Sequence, residues 1–320
     1  AQRTDLVIIA PATANVCAKL AHGLADDMLT TTVLACRCPK LIAPAMNTNM
    51  YENPVTQDNL SLLEKYGWEV ISPASGRLAC GAVGPGKLPE PVDLLQHILR
   101  HLALPHDLSG KRVLISAGPT QEAIDPVRYL TNHSTGKMGY ALARMAMLRG
   151  ADVTLVSGPT AITPPPFLRT IPVVSAQDMY DAISENASQA DFIFMAAAVA
   201  DYTPTEYADN KIKKKDGDMA IPLKRTRDIL GFLGEHRTPG QVLCGFSMET
   251  QNMLENSRAK LDKKHVDMIC ANNLKVPGAG FGVDTNILTL ITQDAVTELP
   301  KMSKEEAANA ILDAALSLSK

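Results

Sequence analysis

Short apolar, β-rich runs alternate with helical patterns along almost the whole chain. This alternation is typical of parallel sheets whose strands are joined by crossover helices, so it restricts the fold to the α/β class. A chain of 320 residues is long enough for two domains. Residues 101–110, with their Pro, Asp, Ser and Gly, are typical of a linker. We therefore predict two doubly wound, three-layer domains, over residues 1–105 and 106–320.

The first domain shows alternating strand and helix patterns. Strands are predicted over 5–10, 40–43 and 68–71, and helices over 13–25, 55–66 and 91–102. Small and polar residues follow the first two strands, in PATAN (11–15) and PAMNTNM (44–50). Because open α/β sheets bind ligands at the carboxyl ends of their strands, both segments are placed to build a site.

The second domain shows a longer series of the same kind. Strands are predicted over 112–117, 152–157, 192–197, 242–246 and 268–271, with 286–292 and 295–299 as a closing pair. Helices are predicted over 138–149, 176–188, 228–235, 252–264 and 303–319. Residues 201–227 are predicted to form a long polar loop, a feature that is usually functional or disordered.

Composition excludes several classes of function. Lys plus Arg number 31 and Asp plus Glu 34, so a net charge of −3 gives no electrostatic reason to bind nucleic acid or an anionic membrane. Aromatic residues, at 4 %, are too sparse for a base-stacking platform. The longest apolar runs are shorter than the roughly 20 residues of a membrane span. We expect a soluble globular protein.

The cysteines and the first residues suggest a cellular setting. Six cysteines contain no CxxC pair, which suits a reducing cytoplasm, and we predict no protein-built metal site. The chain has neither an initiating Met nor a signal peptide. We expect residue 1 to be an interior position of a longer protein.

The stretch SAGPTQEAIDPVRYLTNHSTGKMG (116–139) is the most informative motif. It predicts a strand, a turn at Gly118 and a polar loop that enters a helix. Backbone N–H groups at that helix start, with Lys137, can hold a phosphate. The motif is neither a Walker A loop nor GxGxxG, which argues against a P-loop kinase and an ordinary NAD enzyme. The alternative is a pair of ordinary βα turns.

Lysines are concentrated in two places. Residues 211–215 contain four lysines, after a predicted strand end. A mobile loop there can close over a polyphosphate, or be a solvated charged loop. Lys260 and Lys264 lie at i, i+4 on one helix face, where they can hold the same ligand or be surface residues.

Three features of the first domain have both a functional and a structural interpretation. Asn47 can hydrogen-bond a substrate carboxylate or cap the next helix. Cys80, in the Gly- and Pro-rich loop 78–91, is a candidate proton donor or nucleophile, or an exposed thiol without a role. His97 and His101 share a helix face, but no third metal ligand is evident, so we predict a partly exposed helix end.

Taken together, these segments resemble the bifunctional phosphopantothenoylcysteine decarboxylase/phosphopantothenate–cysteine ligase family of coenzyme A biosynthesis, from about residue 3 to the C-terminus. Four separated motifs occur in the expected order. The resemblance implies a flavodoxin-like FMN domain followed by a Rossmann-like ligase domain. The family's FMN phosphate loop and catalytic His would precede residue 1, so the first domain is expected to be incomplete.

The resemblance also implies roles in the first domain. Thr13 and Asn15 would contact FMN, Asn47 would hold the substrate carboxylate, and Cys80 would donate a proton. Val16 and Tyr51 depart from the common Thr and Trp of the family.

For the second domain the resemblance implies the joining of 4'-phosphopantothenate to L-cysteine through an acyl-cytidylate formed from CTP, with Mg²⁺. Asn132 and Lys211 would be catalytic, and Arg128 would contact the substrate phosphate. The nucleotide would lie against Ala197, Ala198, Asp201, Phe246, Lys260 and Lys264. Asn210 and Asp284 are further candidates, and the segment 225–228 departs from the family pattern. The family forms homodimers through this domain and larger assemblies through the flavin domain.

Two other functions remain open from the residues. One is a non-catalytic, flavoprotein-like regulatory module, which would show flavin absorbance without nucleotide turnover. The other is an NAD(P)-linked oxidoreductase, which the absence of GxGxxG and of an acidic residue ending the second strand makes a weaker alternative.

Overall fold

The computed structural model describes all residues except 2, 79–80, 215–218, 250–251, 274–281 and 320. The chain divides into two compact units, Ala1–Pro105 (unit 1) and His106–Lys320 (unit 2). Among the described residues, none of the helices has the length and apolar character needed to cross a bilayer.

Unit 1 is an α/β layer structure around a three-stranded parallel sheet in the order β1–β2–β3. The sheet strands are β1 (Val7–Ala12), β2 (Lys40–Pro44) and β3 (Glu69–Val70). The helices are α1 (Ala14–Ala21), α2 (Met28–Leu34), α3 (Thr48–Tyr51), α4 (Pro54–Lys65) and α5 (Pro91–Leu102). Ile9 and Ile42 of the sheet pack with Leu60 and Leu63 of α4 in a buried core.

The helix predicted over 13–25 is present but shorter in the structure. The structure ends α1 at Ala21, and Gly23 then adopts a left-handed conformation with φ 68°. Asp27 begins the separate helix α2 with a capping box, because its carboxylate accepts the Thr30 N–H and the Thr30 hydroxyl bonds back to the Asp27 backbone. The left-handed Gly23 and the capping residue Asp27 therefore account for the separation of α1 from α2.

Part of the predicted Gly- and Pro-rich loop 78–91 is a β-strand in the structure. Two antiparallel strands, β4 (Ala74–Arg77) and β5 (Val83–Lys87), form a hairpin there. The hairpin lies against the segment after β2, since the Met46 N–H donates to the Gly86 oxygen at 3.0 Å. A Cβ on Gly86 would stand 2.2 Å from the Met46 oxygen, so only glycine permits this approach.

The described residues of unit 2 form an eight-stranded sheet in the order β10–β9–β6–β11–β14–β15–β17–β18. Its strands are β6 (Arg112–Ala117), β9 (Asp152–Ser157), β10 (Arg169–Pro172), β11 (Phe192–Met195), β14 (Val242–Glu249), β15 (Met268–Asn273), β17 (Leu288–Thr292) and β18 (Val296–Glu298). The first six strands in this order are parallel to one another. β17 pairs antiparallel with β15, and β18 pairs antiparallel with β17. The parallel part has the Rossmann order, which reverses between β6 and β11.

Helices cover both faces of this sheet, as the predicted doubly wound fold requires. They are α6 (Lys137–Leu148), α7 (Ala176–Ala187), α8 (Ile229–Glu235), α9 (Met253–Lys264) and α10 (Lys304–Leu318). Residues of α7, α8 and α9 form one buried cluster with Leu114 of β6. α6 packs on β6, β9 and α10, and its Gly139 approaches Ala117 of β6. Because side chains alternate along a strand, Ala117 points to the face of the sheet opposite to that of Leu114.

Small hairpins modify the predicted pattern of unit 2. The pairs are β7 (Gln121–Ala123) with β8 (Tyr129–Thr131), β12 (Tyr202–Pro204) with β13 (Leu223–Arg225), and β16 (Thr285–Asn286) with β19 (Met302–Ser303). The predicted loop 201–227 is therefore closed at its base by β12 and β13. The predicted strand 286–292 is divided between β16 and β17, and β10 was not predicted.

We predict that Gly139→Ala destabilises unit 2. The added Cβ would stand 2.6 Å from the Ala117 Cβ and 3.0 Å from the Ser116 oxygen, so α6 must shift. Overpacking of this kind costs about 1–3 kcal/mol, which thermal unfolding followed by circular dichroism measures. Gly282→Ala is the control, since that position has open space. Equal melting temperatures for Gly139→Ala and the wild type would contradict the close approach.

Candidate functional site

A cavity of about 470 Å³ opens at the carboxyl edge of the eight-stranded sheet. One wall is the first turn of α6, and residues 196–199, which follow β11, form another. The end of β14, together with residues of α9, β15 and α10, completes the lining. The cavity lies where the strand order reverses between β6 and β11, which is where doubly wound sheets bind ligands.

The first turn of α6 presents backbone N–H groups toward this cavity. Gly136 caps the helix with φ 80°, and its N–H donates to the Ser134 hydroxyl at 3.3 Å. The N–H groups that follow have no partner within the helix, and the helix dipole adds positive potential. This wall therefore suits an anionic group.

Three lysines, Lys137, Lys260 and Lys304, line the cavity together with the exposed Asp201. Lys260 Nζ donates to the Phe246 carbonyl at 2.7 Å, which holds its ammonium beside β14. Lysines thus outnumber carboxylates in this lining. The charge balance favours a ligand with several negative charges, such as a polyphosphate.

Lys304 is the most buried of these cations. It begins α10 with an exposed fraction of only 7 %, and its Nζ donates to the Thr285 carbonyl at 3.2 Å. Burial, and then the charge of Lys137, lowers the pKa of Lys304, while Asp284 acts in the opposite direction. Lys137 in turn bonds Asp284 Oδ1 at 2.6 Å. An anion in the cavity would offset both effects that destabilise the Lys304 ammonium.

The strand-end segment after β11 is held by the end of β6. The Ala197 N–H donates to Ser116 Oγ at 3.1 Å, and the Ala198 N–H donates to the Gly118 carbonyl at 2.9 Å. The Ala198 carbonyl accepts the Asn132 side-chain amide at 2.9 Å. Asn132, Ala197 and Ala198 therefore lie together on the cavity wall.

Unit 1 has polar residues at the carboxyl edge of its own sheet. Thr13 follows β1 and caps α1 by accepting the Val16 N–H at 3.3 Å, and Asn15 is exposed in the first turn of that helix. Asn47 follows β2 and caps α3 by accepting the Asn49 N–H at 2.9 Å. β1 and β2 are parallel neighbours, so the three side chains share one edge. Cys80 lies outside the described residues.

Comparison with known proteins gives a consistent result. The Flavoprotein family matches residues 1–103, and the DNA/pantothenate metabolism flavoprotein C-terminal domain family matches residues 108–318. The coenzyme A biosynthesis bifunctional protein CoaBC of Bacillus subtilis (strain 168) is 51 % identical over 320 residues, which cover 99 % of this chain and 79 % of that protein. CoaBC of Vibrio cholerae is 45 % identical over 314 residues, covering 98 % and 78 %.

A solved structure agrees with these relatives. The crystal structure of the C-terminal domain of a coenzyme A biosynthesis bifunctional protein CoaBC is 44 % identical, has a TM-score of 0.57, and covers 66 % of this chain and 97 % of that chain. The chain belongs to the CoaBC family. The family resemblance and the α/β fold class inferred from the sequence are confirmed. The match to bifunctional CoaBC enzymes favours the ligase and decarboxylase functions over the regulatory module and the oxidoreductase.

Most of the nucleotide-site residues carried over from the CoaBC family lie together. Ala197, Ala198, Asp201, Phe246, Lys260 and the catalytic candidate Asn132 all line the cavity. Lys264 is not among the lining residues. It lies one helical turn, about 6 Å, beyond Lys260, and it pairs with Asp228, the cap of α8. Burial opposes ionisation of Asp228, but the bonds from Lys264 and the Gly231 N–H outweigh it and lower its pKa.

Lys211 and Arg128 lie outside this lining as well. Lys211 is exposed in the segment between β12 and β13, and the Arg128 guanidinium bonds the buried Asp125. Asn210 is also exposed. Sequence reasoning missed Lys304, Asn272 and Asn286 as lining residues. The start of α10 had a signal, the Ser303–Glu306 capping box, but no local pattern indicates that this helix start faces the cavity.

The histidine pair has a partner that the sequence did not indicate. His97 Nδ1 and His101 Nε2, on α5, each contact one carboxylate oxygen of Glu69 on β3. Burial opposes ionisation of Glu69, but its contacts with His97 and His101 lower its pKa to about 2. The helix end is therefore tied to the sheet. Within the described part of the chain, no group of three or more His, Cys, Asp or Glu side chains is arranged to hold a metal ion.

We predict that Glu69 makes unit 1 sensitive to acid. Its pKa falls from 4.5 to about 2 on folding, so its stabilising contribution is present above pH 4.5 and is lost as the pH falls toward 2. This contribution amounts to at most about 3 kcal/mol. Urea unfolding, followed by the fluorescence of Trp68, should show a larger difference between wild type and Glu69→Gln at pH 5 than at pH 2.5. A difference independent of pH would contradict this assignment.

Proposed function

We propose that unit 2 joins 4'-phosphopantothenate to L-cysteine at the expense of CTP. The observation that carries the proposal is the cavity at the strand reversal, where the start of α6 and the ammonium groups of Lys137, Lys260 and Lys304 surround a space of about 470 Å³. Such an environment suits a triphosphate. Membership of the CoaBC family supports the choice of phosphopantothenate and cysteine as the molecules joined.

The proposed reaction has two steps. The substrate carboxylate attacks the α-phosphorus of CTP, a new P–O bond forms, and the bond to the β-phosphate breaks to release pyrophosphate. The cysteine amine then attacks the acyl carbon of the cytidylate, loses a proton and displaces CMP, which leaves an amide. In the first step two anions must approach each other, so cationic side chains lower its barrier.

The residues have distinct proposed roles. Lys211 offsets the charge that develops during cytidylate formation, and Arg128 contacts the phosphate of the substrate. Asn132 polarises the reacting carbonyl with its side-chain amide, a group already aimed at the carbonyl of Ala198. Mg²⁺ would be bound by the triphosphate, and the exposed Asp201 carboxylate on the cavity wall is an oxygen ligand of the kind Mg²⁺ takes.

In a chain that also contains the family's FMN phosphate loop and catalytic His, unit 1 is proposed to act on the product, 4'-phosphopantothenoylcysteine, by decarboxylation. The Flavoprotein match supports FMN as its cofactor. The exposed Thr13 and Asn15 at the start of α1 offer polar atoms to the flavin, and Asn47 lies at the same edge to hold the substrate carboxylate. When bound, FMN supplies oxidation and reduction of the cysteine-derived carbon–sulfur unit, and Cys80 is the proposed proton donor. A homodimer and a cytoplasmic location also remain predictions.

The proposed function predicts cysteine-dependent pyrophosphate release. The purified chain is incubated with phosphopantothenate, Mg²⁺ and either CTP or ATP, with and without cysteine. CTP should give the faster turnover, and omission of cysteine should limit release to about one pyrophosphate per site, because the acyl-cytidylate stays bound. A folded chain that releases no pyrophosphate with any nucleotide would exclude the ligase.

Two variants should block different steps. Lys211→Gln should slow cytidylate formation, and Asn132→Asp should slow the attack of cysteine, each by about 10²-fold or more, because each removes one group that stabilises a transition state. Quenched-flow measurement of the acyl-cytidylate separates them, since it accumulates only in Asn132→Asp. Lys213→Gln, at another exposed lysine of the same segment, is the control. A wild-type rate in Lys211→Gln would remove its proposed role.

A further inference from the structure

The turn between β7 and β8 contains a carboxylate with an unusual number of partners. Asp125 Oδ1 accepts the backbone N–H groups of Val127 and Arg128, each at 2.9 Å. Asp125 Oδ2 accepts Arg128 Nε at 3.1 Å, Arg128 Nη2 at 2.5 Å and the Ile212 N–H at 3.0 Å. Its side chain is fully buried. The Arg128 contacts, with the N–H donors, hold the pKa of Asp125 well below its usual range.

The Ile212 contact connects this turn to the segment that carries Lys211. Both polar groups of the Ile212 backbone are held, because its N–H donates to Asp125 and its carbonyl accepts Arg128 Nη2 at 3.0 Å. Four residues earlier, the Ala208 N–H donates to the Ile124 carbonyl at 3.1 Å. Lys211 therefore lies between two backbone attachments to the same turn.

The β7–β8 hairpin is itself fixed to the core of unit 2. The buried Glu122 accepts the N–H of Ala176, the first residue of α7, at 2.8 Å. Thr131 Oγ1 donates to the Thr120 carbonyl at 2.7 Å. Asn132 follows Thr131 directly. The turn of the hairpin thus holds the Lys211 segment, and the end of the same hairpin holds Asn132.

We infer that Asp125 is a positioning residue, which acts through Arg128 and Ile212 to hold Lys211 in register with Asn132. The inference rests on the proposed function for the role of Lys211, although the attachment itself is independent of that role. Asp125 touches no reacting atom. Both oxygens of the Asp125 carboxylate accept N–H groups. In Asp125→Asn one oxygen is replaced by an amide NH₂, which is itself a donor and cannot accept these hydrogen bonds.

The first test measures the attachment without catalysis. Native protein is digested briefly with trypsin at a temperature below unfolding, and cleavage after Lys211, Lys213 and Lys214 is followed by mass spectrometry. Asp125→Asn should raise the cleavage rate on the order of tenfold, because charged hydrogen bonds that hold the backbone are lost. An unchanged cleavage rate would overturn the inference, whatever the activity of the chain.

A matched control distinguishes attachment from general stability. Asp267 also accepts two guanidinium nitrogens of one arginine, Nη1 and Nη2 of Arg237, and one backbone N–H, that of Leu243. It precedes β15, at the edge of the sheet opposite the cavity. Asp267→Asn should lower the melting temperature but leave both the cleavage of the lysine segment and the reaction rate unchanged. Equal cleavage in the two variants would show that Asp125 has only a structural role.

The second test joins the attachment to the reaction. Asp125→Asn should lower kcat for cytidylate formation about tenfold, with KM for CTP changed less than about threefold, because the loss is one of positioning. In a Lys211→Gln background, measured at saturating phosphopantothenate so that a weaker Arg128 contact does not limit the rate, the same change should lower the rate by less than about twofold, since the lysine it positions is already absent. Effects that multiply fully would overturn the inference. A wild-type chain without pyrophosphate release would instead refute the proposed function, and the trypsin result would still stand.

Discussion

The cavity depends on the close contact between α6 and the end of β6. Gly139 allows the helix to approach the Ala117 side chain and the Ser116 carbonyl, so the first turn of α6 stands at the carboxyl edge of the sheet. The next sheet neighbour, β11, is followed by α8, which packs with the cluster on the opposite face. Because the chain leaves these two adjacent strands in opposite directions, a crevice remains between them. All candidate nucleotide-site residues except Lys264 line that crevice.

Charge in this crevice is arranged at a cost to the folded state. Lys304 is buried, and both its burial and the neighbouring Lys137 disfavour its charged form. A protein selected only for stability would gain by an apolar residue there, since an ammonium in a low-dielectric site is expensive. Lys137 and Lys260 are instead held by the Asp284 carboxylate and the Phe246 carbonyl. These partners keep the cations oriented, which is the pre-organisation that the proposed triphosphate site requires.

The sequence was informative where the structure depends on local apolar patterns. The strands predicted over 112–117 and 152–157 have the same bounds as β6 and β9, because runs of buried aliphatic residues identify parallel strands. The β7–β8 and β12–β13 pairs were missed because their strands are three residues long and mostly polar. Contacts such as Asp125 with Ile212 join residues 87 positions apart, and no local pattern reports them.

The same distinction applies to the site. Asn132, Ala197 and Phe246, which the family motifs selected, line one cavity because each follows or ends a sheet strand or its hairpin, and strand ends converge. Lys304 was not selected, and Lys264 was selected but does not line the cavity, because both positions depend on which side of a helix meets the crevice. The periodicity of a helix shows which residues share a face, but it does not show which other element that face contacts. A single sequence therefore locates groups on strand ends better than groups on the surrounding helices.

The β7–β8 hairpin shows how one structural element can coordinate the two proposed steps. Asn132, assigned to the second step, continues directly from β8, and the segment of Lys211, assigned to the first step, is attached to the turn of the same hairpin. Asn132 is held by chain continuity with β8, and the backbone of Ile212 is held by the side chains of Asp125 and Arg128. A displacement of the hairpin would therefore move both groups together. In the proposed mechanism the acyl-cytidylate forms beside Lys211 and is attacked beside Asn132 without leaving, so a shared rigid support would keep the intermediate in position for both steps.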